Sequence, residues 1–169
     1  LVRSNDGADP FVEALDRHKI PFQFLALRGL YTKPIIVDVV ALFSVLHDDH
    51  DSPAVWRAMT LPCYAFGAKD IAECLHYAHR KGLTLWQAVK DRRTGGHELR
   101  LSEEGRRSAE QFITHVEELA LLARRATPLK LLQQLLEKTG YLGHLLTLPE
   151  AERKDSLHLL NSYAERIKR

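Results

Sequence analysis

"LPCYAFGAKDIAECL", Leu61 to Leu75, is where an apolar segment gives way to a tight turn and a new helix. Pro62 precedes the turn Tyr64-Ala65-Phe66-Gly67, and Ala68 and Lys69 open a helix predicted over 68–80 and closed by Gly82. The free N–H groups at such a helix start suit a phosphate oxygen. An ordinary helix connection with Phe66 packed in the core accounts for the same residues. A second stretch of this shape is "EKTGYLGHLL", in which Gly140 follows one helix and begins the next. Two helix–turn–helix units with glycine in the turn suggest contacts to a nucleic-acid backbone, which carry no base sequence information.

Outward from these turns, everything after Lys33 reads as helix. Pro34 starts a helix whose Ile35, Ile36, Val39, Val40, Leu42, Phe43 and Leu46 form one broad face. "HDDHDSP" breaks it, and Ser52 is expected to cap a short helix with Val55, Trp56 and Met59 turned inward. A helix over 84–90 precedes the loop "DRRTGGHELR". Ser102 caps a long helix with Phe112, Ile113, Val116, Leu119 and Leu122 on one stripe, and Thr127-Pro128 caps the next. The last helix, 150–169, carries Leu157, Leu160, Tyr163 and Ile167 at helical spacing. Only the N-terminus reads differently. Leu1–Val2 resembles a strand end, Asp9-Pro10 begins a short helix, and "IPFQFLAL" from Ile20 reads as a buried strand. The fold class is therefore mostly α: a multi-helix, bundle-like body with a small βαβ stub at the N-terminus.

The 169 residues suit one domain or one compact piece of a larger protein, and the chain opens mid-phrase with its only methionine at Met59. Cys63 and Cys74 make no disulfide framework and read as thiols of a reduced, cytoplasmic protein. No apolar run reaches the roughly 20 residues of a membrane span. The net charge of +2 is mild, yet basic residues concentrate between Arg80 and Arg107, with Arg92 and Arg93 beside two glycines. That segment fits either a solvated surface or a polyanion contact. The phosphate-loop pattern GxxxxGK with Ser or Thr is absent, as are GxGxxG and HExxH. The His47-Asp48-Asp49-His50-Asp51 run reads as a solvated acidic linker, and no metal site is expected. Arg3, at a strand end, sits where an α/β sheet usually meets its ligand, although a surface ion pair fits it too.

The order of these features resembles the second motor half of UvrD/Rep/PcrA-type superfamily 1A DNA helicases, from the end of motif IV through the helical 2B insertion. "LVRSNDGADPFVEALDRHKIPFQF" is similar to the motif IV region, and "LYTKPIIVDVVALFSVL" to the following helix, with Asp38 at that family's aspartate. "HDDHDSPAVWRAMTLPCYAFGAKDI" occupies the stretch holding the family's Arg-Gly-Ile-Gly turn; "LTLWQAV", "KTGY" and "LLNSYAERI" match in order downstream. The resemblance implies that 1–33 is the edge of the second RecA-like, P-loop-type motor domain and 34–169 a 2B-like insertion. It implies an ATP-dependent helicase or translocase, a hydrolase using ATP and Mg2+ in the full-length protein, with a role in DNA repair. The fragment, lacking the phosphate loop, is expected to be inactive alone. Arg3 then matches an arginine that contacts the γ-phosphate of ATP. Tyr64, Gly67, Ala68 and Lys69 fall at a duplex contact, as do Lys138 and Gly140 in the second turn. Tyr64 replaces an arginine and Ala65 a glycine, so the first contact is expected to be weak and more of any DNA affinity to fall on Arg92 and Arg93. The expected partners are a single-strand/duplex DNA junction and repair or replication proteins. The alternative is a non-catalytic protein–protein module of a helicase, or of a RecB/AddA-like helicase–nuclease.

Overall fold

The computed structural model describes residues 28–94 and 99–168, together with 11, 14–15 and 17–21; at 92–94 it describes the backbone only. The described residues form helices and turns with no strand among them. Most of the predicted βαβ stub, including Arg3 and residues 22–27 of the second strand, lies outside the described residues. Ile20, where that strand was expected to begin, is exposed and donates its N–H to Leu15 at 2.9 Å. That bond is a helix ending, and Lys19 at φ 54° supplies the reversal.

Nine helices follow among the described residues: α1 (Arg28–Tyr31), α2 (Pro34–His47), α3 (Ser52–Met59), α4 (Ala68–Lys81), α5 (Leu85–Thr94), α6 (Glu103–Ala123), α7 (Pro128–Lys138), α8 (Tyr141–Leu146) and α9 (Glu150–Ile167). Their ends obey local chemistry. Ser102 accepts from Gly105 N at 2.9 Å and so caps α6, and Thr127 caps α7 through Lys130 N. Gly82 at φ 65° terminates α4. The α3 cap is Asp51, not Ser52: the Asp51 carboxylate accepts from Ala54 N at 3.0 Å. Ser52 is freed to accept from Leu85 N at 3.1 Å, which ties the start of α3 to the start of α5. The helix after Thr84 also runs to Thr94, four residues beyond the predicted end.

Helix α2 packs on α3, and the long α6 lies against α2, α5 and α7, while α9 covers α2, α7 and α8. Phe112 on α6 is the hub. Its ring is fully buried and meets Tyr64, Phe66 and Trp86 edge-on, at centroid distances of 4.9, 6.3 and 5.9 Å. Edge-to-face packing of this kind adds to the area each ring buries. Phe112, Ile113, Val116 and Leu119 form the expected α6 stripe, with Leu122 half-buried at its margin. One inward assignment fails. Trp56 is 45% exposed, because the narrow buried stripe of short α3 is filled by Ala54, Val55, Ala58 and Met59. On α9, Leu160 and Tyr163 face in while Leu157, one turn earlier, is exposed.

Candidate nucleic-acid interface

The turn between α3 and α4 begins with Leu61 buried and with Tyr64 N bonded to Leu61 O at 3.0 Å. Tyr64 then goes inward: it is 1% exposed, packed on Phe112, with its hydroxyl 3.4 Å from His115 Nδ1. Burial pushes its phenol far above the usual range. The Tyr64 ring is a core residue, so it offers no side-chain contact to DNA. The surface of the turn is made by Ala65, Gly67, Ala68 and Lys69, all exposed.

The left-handed residue of this turn is Ala65, at φ 51°, while Gly67 is extended at φ −69° and precedes α4 as its cap. Alanine in the left-handed region pays a steric penalty that glycine avoids. Ala65→Gly is therefore expected to stabilise the chain by about 0.5–1 kcal/mol, read as a higher urea midpoint at unchanged slope.

The start of α4 already carries an anion. Asp70, in its first turn, is 7% exposed and accepts from Ser102 N and Ser102 Oγ, both at 2.7 Å. The same Ser102 hydroxyl caps α6, so one carboxylate organises the starts of two helices. Gly105 makes this approach feasible, since a Cβ there would lie 2.5 and 2.7 Å from the two Asp70 oxygens. A phosphate at Gly67 or Ala68 would meet this fixed negative charge nearby: a Cβ on Gly67 would be 3.3 Å from Asp70 Oδ2. The exposed Lys69 ammonium is the attractive group the turn offers.

The second turn has the geometry its sequence predicts. Gly140 takes φ 75° between α7 and α8, and buried Thr139 donates its hydroxyl to Leu135 O at 2.8 Å. Lys138 is exposed but engaged by Glu118 of α6, whose carboxyl is held below its usual value by that hydrogen bond.

The fold brings the two turns together through residues that the motif reading did not single out as a site. Asp38 on α2 accepts from Arg57 Nε at 2.8 Å and from an Arg57 terminal nitrogen at 2.7 Å, and its other oxygen accepts from Tyr141 OH at 2.7 Å. Cys63 of the first turn lies among Asp38, Thr139 and Tyr141. Burial raises its thiol to about 11, Asp38 adds to the rise and Thr139 opposes it. Such a thiol is a packing group, not a nucleophile. A second link runs from Tyr64 to His115, which burial biases toward its neutral form, and on to Glu118 and Lys138. Gly67, Ala68 and Lys69 thus share a scaffold with Lys138 and Gly140. The Arg92 and Arg93 side chains lie outside the described residues, and Arg3 does so entirely.

No protein-family model matches the chain. It is 24% identical over 146 residues to DNA helicase II of Rickettsia typhi, covering 86% of the chain and 22% of that protein. It is 23% identical over 141 residues to the ATP-dependent DNA helicase Rep of Buchnera aphidicola, covering 83% of the chain and 20% of that protein. The ATP-dependent DNA helicase srs2 of Schizosaccharomyces pombe is 26% identical over 91 residues, 54% of the chain and 10% of that protein. The chain thus spans about a fifth of the first two relatives. Its similarity over most of its length is to DNA helicases of the UvrD/Rep-type superfamily 1.

Proposed function

We propose that this chain is a DNA-facing helical insertion (34–169) of an ATP-dependent UvrD/Rep-type helicase, with 1–33 at the edge of its second motor domain. The observation that carries the reading is the helicase similarity across 86% of the chain, on a body of helices. In this reading the insertion performs no chemistry. It presents two glycine-containing turns, tied through Asp38, to the duplex side of a single-strand/duplex junction, and Lys69 and the Arg92–Arg93 segment supply positive charge. ATP and Mg2+ belong to the motor of the whole protein, where Arg3 stabilises charge on the transferring phosphoryl group. Repair or replication proteins are its further partners, and the cytoplasm its place of work. No helix among the described residues is long and apolar enough to cross a membrane.

A protein-contact role is a second reading, favoured by one finding: the first turn has buried its ring at Tyr64 and carries Asp70 beneath it. The motor assignment is tested in a longer chain that includes the phosphate loop. There Arg3→Ala is expected to lower kcat for DNA-stimulated ATP hydrolysis at least tenfold with little change in DNA affinity. Unchanged turnover would remove Arg3 from the nucleotide site.

A further inference from the structure

We propose that the C-terminal end of α6 docks an acidic amphipathic helix of a partner protein. Two grooves flank the last turns of α6 and share Leu121 and Arg124. The first, about 540 Å³, opens between α6, α5 and the end of α2 over Leu46, Trp86 and Val116. The second, about 460 Å³, lies between α6 and α7, beside Leu122 and Arg125. Leu121 stands on the crest between them and is 65% exposed, more than any other large apolar residue described.

The charges on this face lean toward the cations Lys90, Arg124, Arg125 and Lys138 over Asp49, Glu117 and Glu118. Lys90 is paired with Glu117 at 2.9 Å and Lys138 with Glu118, so two acids of α6 are engaged. Arg124 and Arg125 are exposed, and neither forms an ion pair among the described residues. Cations at a helix C-terminus favour the helix dipole, which accounts for the two arginines but not for the exposed leucine or the grooves. An apolar ridge between two hollows, flanked by arginine forks, matches a helix with bulky apolar side chains at i and i+4 and carboxylates beside them. Nucleic acid fits less well, because it has no apolar chain to cover Leu121. This face is separate from the two turns, and the inference does not rest on their contacting DNA.

The test is selection of a displayed library of random peptides of about 16 residues, some four helical turns, on the 169-residue chain. Enriched peptides are expected to carry carboxylates beside apolar residues spaced i, i+4. Their affinity should fall at least tenfold in Leu121→Asp and in Arg124→Glu, both surface changes whose folding is checked by circular dichroism. A peptide with lysine in place of its acids should recover binding to Arg124→Glu. Failure to enrich any peptide, a basic or uncharged consensus, or affinity indifferent to both substitutions would overturn the proposal. So would binding of an oligothymidylate that is weakened by Arg124→Glu but not by Leu121→Asp, which would assign the face to nucleic acid.

Discussion

Gly105→Ala is expected to destabilise the chain by about 3 kcal/mol, although alanine is the better helix former by about 1 kcal/mol. The sign reverses because the new methyl would stand 2.5 Å from Asp70 Oδ2. The neighbour that must move is a buried carboxylate holding two hydrogen bonds to Ser102, not the loose end of a flexible side chain. Overpacking costs about 1–3 kcal/mol, and weakening hydrogen bonds to a charged group adds about 1.5–3 kcal/mol. The loss should appear in the urea midpoint. It should also shrink in an Asp70→Ala background, because the carboxylate with which the methyl collides is gone; that non-additivity separates the contact from a general intolerance of the site. A Gly105→Ala chain more stable than its parent would show that α4 and α6 do not meet as described.

Asp38→Ala should cost a similar amount, about 3 kcal/mol, by a different route. Removing the carboxylate strips Arg57 of two contacts and leaves the hydroxyl of buried Tyr141 without its acceptor. Loss of one partner of a buried charged pair costs about 3–5 kcal/mol, and the partial exposure of Arg57 places this case at the lower end. Tyr141→Phe, which removes one bond and leaves the ion pair, should cost only about 1 kcal/mol. Because Asp38 connects α2 and α3 with the turn after α7, its loss should also increase amide exchange at 61–67 and 138–141. Exchange confined to one turn would mean that the two are not coupled through Asp38.

The helical body was legible because its signals are local. Ser102 and Thr127 precede helices as caps, Gly82 and Gly140 take positive φ, and Phe112 to Leu119 repeat at the helical period. What the sequence did not disclose depends on partners distant along the chain. Asp38 was visible as a family position, but its bonds reach 19 and 103 residues away, to Arg57 and Tyr141. Tyr64 was assigned to the surface by analogy with an arginine. Its ring instead found Phe112, 48 positions downstream, which no periodicity within its own turn could foretell. Trp56 failed for a simpler reason: in an eight-residue helix a one-position shift of the stripe moves a side chain from core to solvent. The expected duplex contact is correspondingly narrower, reduced at the first turn to backbone at Gly67 and Ala68 and the charge of Lys69.

The direct test of a DNA-facing insertion is the affinity of the chain for a forked duplex, measured across a range of salt concentrations. Log K is predicted to fall linearly with log salt at about −0.9 per phosphate contacted, a total slope of about −2 to −3, and Lys69→Gln should reduce its magnitude by about one phosphate. No measurable fork binding at low salt, or a slope indifferent to Lys69→Gln, would contradict the account.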